Sequence, residues 1–100
     1  MKSLRDPKRK PTHPGELLRE DVLPALKMSQ SELAKRLGVS RLSVSELLLE
    51  KRAMSPDMAV RIGRLTNTTP DSWLRMQTAI DLWVLERDPK RYRHIDPIAA

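Results

Sequence analysis

Residues 30–49 read QSELAKRLGVSRLSVSELLL, and this stretch decides the fold. Ser29 and Glu32 hold the Ser-x-x-Glu spacing that caps the start of a helix. Leu33, Ala34 and Leu37 then follow on one helical face. Gly38 takes left-handed backbone without steric penalty and so ends that helix. Ser40 is a second N-cap, and Val44, Leu47 and Leu48 mark the buried side of the helix it opens. Two helices joined by so short a turn cross steeply, so their contact point accepts only a small side chain. Ala34 is that residue. Val39 plugs the inside of the turn, while Leu33, Leu37, Val44 and Leu47 close the shared core.

Working outward, a first helix is expected from about Gly15 to Leu23, with Leu17, Leu18 and Val22 apolar and Pro24 ending or kinking it. Ser55-Pro56 and Thr69-Pro70 each place a capping residue before a first-turn proline. They open a fourth helix carrying Met58, Ala59, Ile62 and Leu65, and a fifth running to about Glu86. Nothing alternates with period two and phenylalanine is absent, so the expected fold is all-α with five helices and no strand. Three parts are expected along the chain. Residues 1–12, rich in Lys, Arg and Pro, form a flexible basic arm. Residues 13–87 form the folded domain with its C-terminal helix. Residues 88–100, with Pro89 and Pro97, form an irregular tail.

One hundred residues, 39% of them hydrophobic, suffice for one modest core and one domain. The absence of cysteine excludes disulfides and thiolate chemistry. No apolar run approaches the ~20 residues of a membrane span, and the basic N-terminus has no apolar stretch behind it, so a cytoplasmic protein is expected. The net charge of +6 is unevenly spread: residues 1–13 carry five Lys/Arg and one Asp, residues 87–100 four and two, and residues 14–86 ten of each sign. A polyanionic partner must therefore be met by the tails or by one cationic face of a neutral domain. Enzyme chemistry is not expected. The two histidines, His13 and His94, both fall outside the expected core, the carboxylates interleave with cations, and three glycines make no phosphate loop. No cofactor, metal or small-molecule substrate is expected either.

The 30–49 stretch resembles the helix-turn-helix of phage-repressor-like DNA-binding domains; the weighed alternative is an arbitrary small helical bundle. In such domains the second helix of the motif lies in the major groove, its N-terminal residues meeting base edges. Counting outward from Val44 and Leu47 exposes Arg41, Leu42, Ser45, Glu46 and Leu49. Arg41 suits a guanine O6/N7 pair, Glu46 a cytosine amine and Leu42 a thymine methyl, although Arg41 and Glu46 also suit a solvated surface. Gln30, Ser40 and Ser43, at helix N-termini, suit phosphate, as do Lys51 and Arg52 just past the helix. One departure stands at Leu49-Glu50, where such domains carry Asn-Gly or a similar pair. It leaves open how the helix ends and where Lys51 and Arg52 point.

A wider frame comes from His13-Pro14-Gly15-Glu16-Leu17-Leu18, Ser55-Pro56-Asp57-Met58-Ala59 and Thr69-Pro70-Asp71-Ser72-Trp73-Leu74-Arg75-Met76-Gln77. With the helix-turn-helix these resemble HigA-type (VapI-like) antitoxins over residues 12–86. The resemblance implies a dimer that binds a HigB-type ribonuclease toxin and represses its own operon at a palindromic operator. A free-standing repressor without a toxin, and an adaptor that has lost DNA binding, are the competing readings. On the fifth helix, Trp73, Met76, Ile80, Trp83 and Val84 form one apolar arc. Leu74, Leu82 and Leu85 form another, set apart by Gln77 and Asp81, and this second arc is expected at a homodimer interface. Toxins of that family are basic, so Glu16, Glu20 and Asp21 are the expected toxin-facing residues. The arm cations Lys2, Arg5, Lys8, Arg9 and Lys10 are expected to add DNA affinity.

Overall fold

The computed structural model describes residues 9–99; most of the expected basic arm, with Lys2, Arg5 and Lys8, lies outside the described residues. Helix α1 covers 14–26 in three joined pieces, an α-helical start Pro14–Leu17, a π turn Leu18–Val22 and an α-helical finish Leu23–Leu26. Then come α2 (Gln30–Leu37), α3 (Arg41–Leu48), α4 (Pro56–Thr66), α5 (Pro70–Glu86) and a single turn, α6 (Pro89–Tyr92). The expected all-helical fold is borne out, with no strand among the described residues.

Pro24 neither ends α1 nor stops it from reaching Leu26. The π turn explains this: the N–H of Leu23 reaches back five residues to the Leu18 carbonyl, and Pro24 then falls in the first turn of a fresh α segment. A missing N–H costs little there. Leu18 and Leu23 are both buried and hold the widened turn against the core.

Serine and threonine caps open the other long helices as read from the sequence. Ser29, Ser40, Ser55 and Thr69 each accept the N–H three residues on, at 3.0 to 3.2 Å. The Ser29-Glu32 capping box is only half formed, because the Glu32 carboxylate accepts from Arg36 Nε at 2.8 Å instead of turning back. Gly38 has φ +71° and ends α2 in the left-handed region.

One core joins the helices: Leu18 from α1, Leu33 and Leu37 from α2, Val44, Leu47 and Leu48 from α3, Ala59 and Ile62 from α4, and Trp73 from α5. Ala34 is buried at the crossing of α2 and α3. The Trp73 indole N–H donates to Thr68 Oγ1 at 2.7 Å, which satisfies the one polar atom that this ring carries inward. Two expectations for α5 are corrected. Val84 is exposed, and Gln77, expected to separate two apolar arcs, is buried. Its Oε1 accepts the buried N–H of Met54 at 2.7 Å and its Nε2 donates to Asp81 at 2.9 Å. Met54 lies in the loop before α4, where no helical carbonyl is available for its N–H.

Candidate nucleic-acid interface

The helix-turn-helix is α2, the Gly38 turn and α3, and α1 grips it from the side. Pro14 and Gly15 are buried at the start of α1, and a Cβ built on Gly15 would collide with the Leu47 carbonyl. Only glycine permits that approach of one helix start to the last turn of another. His13 is the N-cap: its Nδ1 accepts the Gly15 N–H at 2.9 Å. Contrary to expectation His13 is buried, 8% exposed, because the cap sits inside this contact. Burial pushes its pKa below the ordinary 6.5, against the opposing pull of the Glu50, Asp81 and Glu16 carboxylates, so the ring stays the neutral acceptor that the cap needs.

From the π turn, the Arg19 guanidinium donates Nη1 to the Leu48 carbonyl at 2.6 Å and lies 3.6 Å from Glu50 Oε2, while Nε pairs with Glu20 at 3.0 Å. The side-chain hydrogen bond to Glu20 is the largest of the contacts that raise the Arg19 pKa. A cation on the last carbonyls of a helix both satisfies an orphan acceptor and suits the dipole. The sequence left the end of α3 open, and the structure closes it. Glu50 takes the left-handed conformation, φ +63°, and the Lys51 N–H returns to the Glu46 carbonyl at 2.8 Å. This is the Schellman pattern with glutamate where glycine is usual.

The outward face of α3 is set by these supports. Arg41 and Leu42 stand exposed in its first turn, Leu42 at 66%, and among the described residues no ion pair or hydrogen bond engages the Arg41 guanidinium. Ser45 and Glu46 are half-buried on the next turn. Gln30 is exposed at the start of α2. Ser40 and Ser43 are not idle hydroxyls: Ser40 Oγ caps the helix, and the two oxygens lie 2.8 Å apart. Arg52 reaches back over α3, donating Nη1 to Ser43 at 3.0 Å and Nη2 to Glu46 at 2.7 Å. Glu46 and Arg52, expected in separate roles, are thus joined to each other. Lys51 is exposed beside them.

Elsewhere, Leu82 is 51% exposed on α5, while Leu74 and Leu85 are half-buried and Leu74 rests against the core. Leu74 and Leu82 line a shallow groove with Ala79 and Thr78. Of the expected toxin-facing residues, Glu20 and Asp21 are exposed on the π turn and Glu16 is half-buried. No helix among the described residues is long and apolar enough to cross a membrane, and these residues gather no group of three or more potential metal ligands.

Comparison with known proteins agrees with this geometry. The helix-turn-helix family model matches residues 18–73. The chain is 40% identical over 88 residues to virulence-associated protein I of Dichelobacter nodosus, covering 88% of this chain and 82% of that one. It is 32% identical over 80 residues to antitoxin HigA-1 of Vibrio cholerae, covering 80% and 75%. Among solved structures, the Pseudomonas aeruginosa antitoxin HigA with higBA promoter superposes with a TM-score of 0.80 at 33% identity, over 89% of this chain and 99% of that one.

Proposed function

Since this chain belongs to the helix-turn-helix family of HigA-type, VapI-like antitoxins, we propose that it binds operator DNA as a dimer, represses its own operon and neutralises a HigB-like toxin. The observation that carries the DNA half is the first turn of α3. It presents Arg41 and Leu42 outward, on a helix fixed at its far end by Gly15 and Arg19. A rigid helix with a guanidinium unpaired among the described residues and an exposed leucine at its N-terminal end suits guanine and a neighbouring thymine methyl in the major groove. Ser45 completes the base-facing row. Gln30, Ser40 and Ser43 at the helix starts and Lys51 beyond α3 meet phosphates on either side. The similarity to a HigA protein solved with a promoter supports the same reading.

The dimer forms through α5, with Leu82 at its centre and Leu74 and Leu85 beside it. An exposed leucine over an apolar groove is surface that a second copy would cover. The toxin meets Glu20 and Asp21, the exposed carboxylates of α1, with Glu16 at the margin.

The deciding experiment combines a promoter-binding titration with co-purification from the native host. Wild-type chain should bind a duplex from its own upstream region as a dimer, a protein mass of twice 11.5 kDa, and should elute with a small basic partner. Failure to prefer that duplex over random DNA overturns the repressor reading. Elution as a dimer without a protein partner leaves a free-standing repressor.

A further inference from the structure

We infer that Glu46 withholds Arg52 from the phosphate backbone: the two side chains form a neutral clamp on the outward face of α3 that lowers affinity for random DNA. The inference rests on the proposed DNA-binding role of that face. Arg52 follows the end of α3 by four residues, a place from which a basic side chain reaches flanking phosphates. Its guanidinium instead folds back along the helix with both terminal nitrogens engaged, Nη2 on Glu46 Oε1 at 2.7 Å and Nη1 on Ser43 Oγ at 3.0 Å. Ser43 is itself held against the capping Ser40 oxygen at 2.8 Å. A planar fork fixed at both prongs loses more by moving than a single-point contact does.

An exposed ion pair of this kind is weak in water. Against DNA it closes harder, because releasing Arg52 leaves a bare Glu46 carboxylate among the phosphates. Lys51, one residue earlier and with no ion-pair partner among the described residues, shows what an unclamped cation at this site looks like. Random-sequence binding consists almost wholly of such cation–phosphate contacts. Neutralising one cation per copy therefore weakens random-sequence binding and lowers its salt dependence.

The test measures salt dependence on a random-sequence duplex for wild type, Glu46→Ala and the Glu46→Ala/Arg52→Ala pair, with Glu46→Gln as the isosteric second variant. Glu46→Ala frees the arginine, so its log–log slope should steepen by about 0.9 per copy. Glu46→Gln should move the slope the same way. The double variant should return to the wild-type slope, since the clamp as a unit contributes no net charge. The inference is overturned if Glu46→Ala leaves the slope unchanged, or if the double variant falls below wild type by about 0.9 per copy, because Arg52 would then already be on a phosphate in the wild type. Wild type that binds no DNA at all would overturn the functional reading instead.

Discussion

The two ends of α3 are built differently. At the N-terminal end the only side-chain bonds are those of the Ser40 cap and of Ser43, and Arg41 and Leu42 project without partners among the described residues. At the C-terminal end nearly every charged group is committed: Arg19 to Leu48 and Glu50, Arg52 to Glu46, with Gly15 pressed against Leu47. One end is left free and the other is anchored so that the first is held steady. If this division is right, substitutions at the anchored end change folding first, and substitutions at the free end change recognition while leaving stability alone.

The largest effect is expected at the anchored end. Gly15→Ala puts a methyl group into the Leu47 carbonyl, which is backbone and cannot swing aside. Overpacking of this kind costs about 1–3 kcal/mol or more, and each kcal/mol lowers Tm by about 4–8 °C in a domain of this size. A thermal melt reads it directly, and a Tm equal to wild type would mean that α1 does not grip α3 here. Next comes the free end. Arg41→Ala should cost about 1–3 kcal/mol at one base step and relax specificity there, with an unchanged melt. A variant that lost both stability and affinity would erase the division between the ends. Lys51→Ala is smaller, because this exposed side chain past the anchored end takes no part in the anchoring contacts: it should weaken all duplexes alike and flatten the salt slope by about 0.9 per copy.

The same division governs what the sequence disclosed. The helix-turn-helix was legible because its determinants are local: Ala34, Gly38 and the serine caps act within a few residues of themselves. The long-range anchors were not. Nothing near Gln77 announces that its amide serves Met54, 23 residues away in sequence, and a polar residue on a helix reads by default as surface. Pro24 signals a stop by local rules, yet the buried Leu18 and Leu23 make a π turn the better solution. Glu50 carries no glycine signal, so its left-handed backbone follows only from the Arg19 contact and the Schellman bonds around it. On α3 itself the outward register was readable by counting from Val44 and Leu47. The pairing of Glu46 with Arg52 was not, because it depends on the path of the loop beyond the helix.

The finest test of the anchored end is its pH dependence. His13 caps α1 through Nδ1 as an acceptor, a role that protonation abolishes. In the folded chain burial holds the pKa below 6.5, more strongly than Glu50, Asp81 and Glu16 raise it, and Lys10 adds to the lowering. The unfolded chain takes up this proton as pH falls through about 6.5, while the folded chain resists, so the unfolded state binds more protons in that window. Stability from this group is therefore complete above the unfolded pKa and declines as pH falls toward the folded one. His13→Asn keeps a side-chain acceptor at the cap but has no proton to gain. Its unfolding midpoint, followed from neutral pH down to the edge of the carboxylate range, should fall less steeply than that of wild type. Parallel curves would show that the cap does not sense the proton, and the α1–α3 contact would then owe its strength to Gly15 and Arg19 alone.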